Sequence, residues 1–142
     1  MLTVDSCVWV SSFEPTDAFH PSARAFLIEC QRQQVVLASP TIAVLETGCA
    51  LSRRLQSPER GREAALLLAL SPLLQLVPMH ADLEADALRI GTALGLRAAD
   101  AIYTALSVHL HADLVTTDRE LLNRTTGALR AWTPAEWLAV HA

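Results

Sequence analysis

The stretch Leu2-Thr-Val-Asp5 decides how the rest of the chain is interpreted, because an apolar, strand-forming run ends at a carboxylate. We predict a short buried strand over residues 1–4. A second run, Leu114-Val-Thr-Thr-Asp118, repeats this arrangement, with a predicted strand over residues 114–116. If both strands belong to one parallel sheet, the two carboxylates lie at the same edge of it, where such sheets form their binding sites.

A third carboxylate, Glu46, lies in a segment that is otherwise apolar. It is the only charged residue in the stretch 39–52. The apolar residues Ile42, Leu45 and Cys49 recur there at three- and four-residue steps, which predicts a helix with Glu46 within its apolar arc. A lone buried carboxylate is costly or stays protonated, so a ligand role explains Glu46 better than packing does.

The fourth carboxylate, Asp100, opens a predicted helix over residues 98–109 that is otherwise mostly apolar. If the fold brings the four carboxylates together, their mutual repulsion needs a counter-charge. The simplest counter-charge is a divalent cation held by oxygen ligands. The sequence therefore predicts a metal-dependent phosphodiesterase.

Three of these carboxylates also have a purely structural explanation. Asp5 and Ser6 are both good N-cap residues for a following helix. Thr117 and Glu120 fit a capping box of the form Thr-x-x-Glu. The loop that contains Asp118 would then serve only to begin a helix. Asp100 is favourable near a helix N-terminus whatever its function. Taken singly, each of the three is therefore weak evidence for a site.

The whole chain alternates predicted strands and helices. The strands are predicted at residues 1–4, 35–38, 73–77, 114–116 and 129–132, and the helices at 8–13, 21–33, 39–55, 58–70, 81–94, 98–109, 120–124 and 134–140. Ser39 is expected to cap the third helix, with Pro40 at its first position, and Gly95 to end the fifth. This order predicts an α/β fold of three layers, α/β/α, around a central, mainly parallel sheet.

Length and composition favour one globular domain. The 142 residues suffice for one substantial core, so we expect a single domain over residues 1–142, and the 51% hydrophobic content excludes a disordered chain. No apolar run of about 18 residues exists, and no basic segment precedes an apolar one at the N-terminus. We therefore expect a cytoplasmic location, with Cys7, Cys30 and Cys49 as buried, reduced thiols.

The charge of the chain limits its interaction with nucleic acid. The net charge is −4, and all 11 basic residues are arginines. Such a chain is not a general nucleic-acid binder. The four candidate carboxylates, however, account for the whole net charge, and arginine binds phosphate oxygens bidentately. Arg97 and Arg119 flank the acids and are candidate contacts for substrate phosphates, although solvated surface arginines explain them as well.

Four pieces of the chain resemble the PIN domain family, and most closely the VapC-type toxins of bacterial and archaeal toxin–antitoxin pairs. The pieces are Val4-Asp5-Ser6, Ser39-Pro-Thr-Ile-Ala-Val-Leu-Glu46, Leu96-Arg-Ala-Ala-Asp100-Ala-Ile-Tyr-Thr-Ala105 and Leu114-Val-Thr-Thr-Asp118-Arg-Glu120-Leu121. No single piece is specific, but the four in this order are, and together they span nearly the whole chain. Leu121 departs from the pattern, because many members have Phe there.

The resemblance implies a set of ligands and partners. It assigns Mg²⁺ or Mn²⁺ binding to the four acidic residues Asp5, Glu46, Asp100 and Asp118. It makes Ser6 and Thr116 supporting polar residues of the site. It also implies a PIN-like α/β/α fold, an RNA substrate, a homodimer and a small antitoxin as protein partner. Glu120, two residues beyond Asp118, leaves the position of the fourth acid open.

On this basis we predict an endoribonuclease toxin that hydrolyses RNA with a bound divalent cation. Asp5 and Asp100 are the expected principal ligands, while Glu46 and Asp118 bind directly or through water, or orient the attacking water. A PIN fold that binds RNA or protein with little catalysis is the alternative. A phosphotransfer domain of the receiver or haloacid dehalogenase type also clusters acids at strand ends, but it needs a working lysine, and the chain has none.

Overall fold

Five short strands form one parallel sheet at the centre of the computed structural model, which describes all 142 residues. The strands are β1 (Leu2–Val4), β2 (Leu37–Pro40), β3 (Leu74–Val77), β4 (Asp113–Val115) and β5 (Ala131–Trp132). They lie in the order β3-β2-β1-β4-β5, and every neighbouring pair is parallel. The predicted parallel α/β fold is confirmed.

Eight helices flank this sheet and complete the three-layer α/β/α arrangement. They are α1 (Ser6–Phe13), α2 (His20–Arg32), α3 (Ile42–Leu55), α4 (Pro58–Ala69), α5 (Ala81–Leu94), α6 (Ala98–His109), α7 (Arg119–Thr125) and α8 (Pro134–His141). Helix α5 ends at Gly95 as predicted, because its left-handed backbone, with φ of 67°, is one that glycine adopts without strain. None of the helices has the length and apolar character needed to cross a membrane.

The predicted helix start at Ser39 and Pro40 is wrong. Both residues belong to β2, and α3 begins only at Ile42. The buried Ser39 hydroxyl donates to the carbonyl oxygen of Val4 at 2.5 Å and accepts from Nε1 of Trp9 at 3.0 Å. The side chain therefore ties β2 to β1 and α1 and caps no helix. Proline is tolerated because it ends the strand, where the loss of one N–H affects little of the ladder.

Alternate strand positions supply the core on both faces of the sheet. On one face Val4 packs with Phe26 of α2 and Trp137 of α8, whose rings meet edge to face at a centroid distance of 5.2 Å. On the other face Leu114 packs with Tyr103 of α6. Burying one such side chain stabilises a fold by about 1.5–3 kcal/mol, so these contacts fix the helices on the sheet.

The three cysteines differ more in exposure than the sequence predicts. All are free thiols, as expected. Cys30 is buried in the core and Cys7 is half-buried, but Cys49 is exposed on α3. The prediction of a buried thiol is therefore wrong for Cys49, because that side of α3 faces solvent.

The strand order reverses between β1 and β4. From β1 the chain adds β2 and β3 on one side, and then returns to place β4 on the other side. Ligand crevices of parallel sheets form at such switch points, outside the carboxyl ends of the strands. Asp5 follows β1 and Asp118 follows the end of β4, so both border this crevice. The order also differs from the 2-1-3-4-5 order of receiver domains, which excludes the receiver alternative.

Candidate active site

Asp5 lies at the centre of the site, directly after β1, and is only 5% exposed. It occupies the N-cap position of α1, yet its side chain makes no capping hydrogen bond. Its Oδ2 accepts hydrogen bonds from the Thr116 hydroxyl at 2.6 Å and the Cys7 thiol at 3.1 Å, and Oδ1 accepts from Ser6 at 3.3 Å. Burial raises the pKa of Asp5, and the charge of Asp100 raises it further against the lowering effect of the hydrogen bonds.

Thr116 connects Asp5 to the loop that follows β4. Its buried hydroxyl donates to Asp5 and accepts from the backbone N–H of Asp118 at 3.0 Å. Oδ1 of Asp118 in turn accepts from the backbone N–H groups of Glu120 and Leu121, at 2.8 and 3.2 Å, and so caps α7. Asp118 therefore has one oxygen committed to the helix, while its other oxygen accepts a hydrogen bond from Arg97.

The capping box of Thr117 and Glu120 is not formed, because Asp118 is the N-cap of α7. The Glu120 carboxylate instead accepts from Nε of Arg124 at 2.9 Å and is 63% exposed. The fourth carboxylate of the cluster is accordingly Asp118, and Glu120 belongs to the outer surface of α7.

Glu46 reaches from α3 to α6. Its Oε2 accepts a hydrogen bond from the Tyr103 hydroxyl at 2.6 Å, and Tyr103 is 1% exposed. Burial raises the pKa of Glu46, and the charges of Asp5 and Asp100 add to the effect. Burial and the charges of Asp5 and Glu46 raise the pKa of Tyr103 as well, so its phenol stays protonated and donates.

Sequence reasoning missed both Tyr103 and Cys7 as parts of the site. Tyr103 sits in an apolar helix and is indistinguishable there from an ordinary core aromatic. The one available signal is its position three residues after Asp100, which places the two side chains on the same face of α6. Cys7 gave no signal beyond its closeness to Asp5 in the chain.

Arg97 supplies the positive charge of the cluster. Its Nε donates to Oδ2 of Asp100 at 2.9 Å, and one terminal nitrogen donates to Oδ2 of Asp118 at 2.8 Å. The guanidinium thus joins two carboxylates that belong to different elements, although the side chain is 69% exposed. Arg119, the other arginine singled out from the sequence, is exposed and forms no ion pair.

The donor chemistry of the cluster fits a divalent cation. The charge of Asp100 raises the pKa of Asp5, the charges of Asp5 and Asp100 raise the pKa of Glu46, and carboxylate oxygens are the ligands that Mg²⁺ prefers. The side chains do not form a finished ligand cage, since no three His, Cys, Asp or Glu groups stand close enough together to hold an ion. Two of the four carboxylates are held by Arg97 instead.

A groove of about 500 Å³ leads away from the acids between α1 and α3. Its lining includes Ser6 and Glu46, and also Arg53 and Arg54. Arg54 is engaged in two ion pairs, whereas Arg53 is exposed and has none. The groove is therefore lined by both an acidic side chain and an unpaired basic one.

Fold and site together define an α/β/α protein with four carboxylates grouped near the switch point of its parallel sheet. The chain belongs to the PIN domain family, whose model matches residues 2–127. That match contains all four carboxylates of the crevice. The predicted family membership is confirmed. A comparison with curated protein sequences finds no match.

Several solved structures share the fold. VapC20 of Mycobacterium tuberculosis, described as a Sarcin-Ricin loop cleaving toxin, superposes with a TM-score of 0.75 and 21% identity over 87% of this chain and 94% of that one. A toxin–antitoxin complex from Klebsiella pneumoniae superposes with a TM-score of 0.65 and 15% identity, over 94% of this chain and 98% of that one. VapBC2 of Rickettsia felis, bound to a DNA fragment from its promoter, superposes with a TM-score of 0.70 and 15% identity, over 93% of this chain and 97% of that one. At these identities the likeness is one of fold.

Proposed function

We propose that this protein is a Mg²⁺- or Mn²⁺-dependent endoribonuclease that acts as the toxin of a toxin–antitoxin pair. The observation that carries the proposal is the set of mutually repelling carboxylates at the switch-point crevice, two of which have raised pKa values. Membership in the PIN domain family supports it. Because a structure of the same fold is described as cleaving the Sarcin-Ricin loop, we propose RNA as the substrate.

The four carboxylates are the proposed cation ligands. Asp5 and Asp100 are the principal ones, and Glu46 and Asp118 bind directly or through water. A bound divalent cation lowers the pKa of a water molecule and polarises a phosphoryl oxygen, which are the two requirements of phosphodiester hydrolysis. The preference of hard cations for carboxylate oxygens supports Mg²⁺ or Mn²⁺ over softer metals.

In this proposal, other side chains of the site orient the ligands or contact the substrate. Thr116 and Tyr103 fix one oxygen each of Asp5 and Glu46 through short hydrogen bonds, which limits the rotation of the carboxylates. In the proposal the exposed Arg97 turns its planar guanidinium from the acids to an RNA phosphate, a group that it binds bidentately. Arg119 is the second proposed phosphate contact, since it has no competing ion pair.

Exposed leucines support the proposed protein partners. Leu45 on α3, Leu66 and Leu67 on α4, and Leu70 at the end of α4 are between 57% and 73% exposed. Exposed apolar side chains, where they form a contiguous patch, commonly mark an interface. We propose a homodimer and a small antitoxin as the two partners. We further propose that residues 1–142 act as a single PIN domain, in the cytoplasm where its RNA substrate is available.

RNA cleavage by the purified protein is expected to require a divalent cation. Total bacterial RNA incubated with chelator-treated protein should stay intact, and Mg²⁺ or Mn²⁺ should produce discrete fragments on a denaturing gel. A parallel preparation of Asp5→Asn protein controls for contaminating nucleases. Cleavage that persists in EDTA contradicts the proposed metal dependence. RNA binding without cleavage in either ion favours the alternative, a binding module.

The proposed dimer predicts a particle of twice the chain mass of 15.4 kDa. Burying the exposed leucines of α3 and α4 would stabilise such a dimer, because removing apolar surface from water is favourable by about 25 cal/mol per Å². Size-exclusion chromatography with light scattering measures the mass directly. A monomer that persists at high protein concentration contradicts the dimer.

A further inference from the structure

One side chain outside the carboxylate set contacts both halves of the crevice. Cys7 is the second residue of α1, and its Sγ lies 3.1 Å from Oδ2 of Asp5 and 3.3 Å from Oγ1 of Thr116. The same sulfur accepts a hydrogen bond from the backbone N–H of Thr117 at 3.2 Å. The thiol therefore bridges the end of β1 and the loop that follows β4.

We propose that Cys7 is a positioning residue, which holds the Asp5 carboxylate and the loop carrying Asp118 in a fixed relation. This inference rests on the proposed function. These hydrogen bonds form a closed ring. The thiol donates to Asp5, and Asp5 also accepts from the hydroxyl of Thr116; the backbone N–H of the next residue, Thr117, donates to the sulfur. Because the Thr116 hydroxyl also accepts from the N–H of Asp118, the ring positions two proposed ligands, Asp5 and Asp118.

Cys7 acts through Asp5 and is not itself a proposed ligand. Sulfur is a soft donor, whereas Mg²⁺ and Mn²⁺ prefer hard oxygen donors. A thiol can both donate and accept weak hydrogen bonds, and here it does both at once. Loss of a group that orients a metal ligand typically lowers metal affinity or activity by about 10- to 100-fold.

Substitutions at Cys7 separate hydrogen bonding from packing. Valine keeps a similar apolar volume but can neither donate to Asp5 nor accept from Thr117. Serine can do both, although its oxygen has a shorter reach than sulfur, so it should restore part of the effect. Cys49→Val is the matched control, because Cys49 is exposed on α3 and makes no hydrogen bond.

The experiment is calorimetric titration of each chelator-treated protein with Mn²⁺ alone, followed by measurement of kcat and KM for RNA cleavage. Circular dichroism establishes that each variant is folded. We expect Cys7→Val to weaken Mn²⁺ binding by about 10- to 100-fold and to lower kcat with little change in KM. Cys7→Ser should lie between this variant and wild type, and Cys49→Val should equal wild type.

The outcomes distinguish the inference from the function on which it rests. If wild type binds Mn²⁺ and cleaves RNA, but folded Cys7→Val matches it in affinity and kcat, the positioning role is overturned and the proposed function stands. If Cys7→Val does not fold, Cys7→Ala decides, because alanine also removes both hydrogen bonds and adds no bulk: wild-type affinity and kcat in folded Cys7→Ala overturn the role, and a loss of both that Cys7→Ser partly restores supports it. If wild type takes up no Mn²⁺, the proposed function fails, and the positioning role fails with it.

Discussion

Replacing Asp5 with asparagine is expected to abolish RNA cleavage while leaving the fold intact. The amide oxygen can still accept the hydrogen bond that Thr116 donates at 2.6 Å, so the local structure has no reason to change. What is lost is the negative charge at the centre of the crevice. Removing a group that only supports a ligand costs about 10- to 100-fold in activity or metal affinity, so removing a principal ligand should cost at least about 100-fold.

The same substitution should raise the stability of the metal-free protein at neutral pH. Burial and the charge of Asp100 raise the pKa of Asp5 in the folded state, so ionised Asp5 opposes folding. When folding raises the pKa of a carboxyl group, the group contributes most to the free energy of unfolding below its unfolded pKa, which is about 3.9 for aspartate. This contribution is lost as the pH rises through the folded pKa. An asparagine side chain at this position does not titrate and avoids this loss.

Thermal unfolding in EDTA measures this difference in stability. The midpoint is followed from about pH 3, near the pKa of a free carboxyl group, to about pH 8. The midpoint of Asp5→Asn should meet that of wild type in acid and exceed it near neutral pH. Glu63→Gln on the exposed surface of α4 is the control and should follow wild type throughout. Full RNA cleavage by folded Asp5→Asn would refute the ligand assignment. A lower midpoint at neutral pH would show that the charge at this position does not oppose folding.

Local patterns were sufficient to predict the sheet edge and its acids. The runs before Asp5 and Asp118 are strand-forming and end at a polar residue, and a parallel sheet then brings their ends together. Glu46 and Asp100 were identifiable because each is an isolated charge in a mostly apolar stretch of sequence. The helix end at Gly95 followed from the backbone freedom of glycine alone.

Other features depended on partners that are distant in the chain. The local sequence Ser39-Pro40 is typical of a helix start, but contacts with β1 and α1 keep both residues in β2. The bond between Tyr103 and Glu46 joins residues 57 positions apart, so neither neighbourhood predicts it. Cys7 likewise gains its role from Thr116 and Thr117 on the loop after β4, which no local pattern relates to α1.

Replacing Gly61 with alanine is expected to destabilise the protein, although alanine is the better helix former. Helices α3 and α4 meet at Gly48 and Gly61. A methyl group on Gly61 would lie 2.5 Å from the carbonyl oxygen of Gly48 and 2.6 Å from Cβ of Ser52. Because a backbone oxygen cannot rotate away, the two helices must separate. Overpacking costs about 1–3 kcal/mol, while helix propensity returns up to roughly 1 kcal/mol, so packing should decide the sign.

The effect of Gly61→Ala on the site should differ from that of Asp5→Asn. Glu46 lies two residues before Gly48 on α3, so a displacement of α3 also moves Glu46 from its hydrogen bond with Tyr103. Gly61→Ala should therefore lower both the urea midpoint, followed by circular dichroism, and the affinity for Mn²⁺. Glu63→Ala, on the exposed side of α4, is the control and should change neither. A urea midpoint of Gly61→Ala at or above wild type would contradict close packing of α3 on α4, because helix propensity would then be the only force acting.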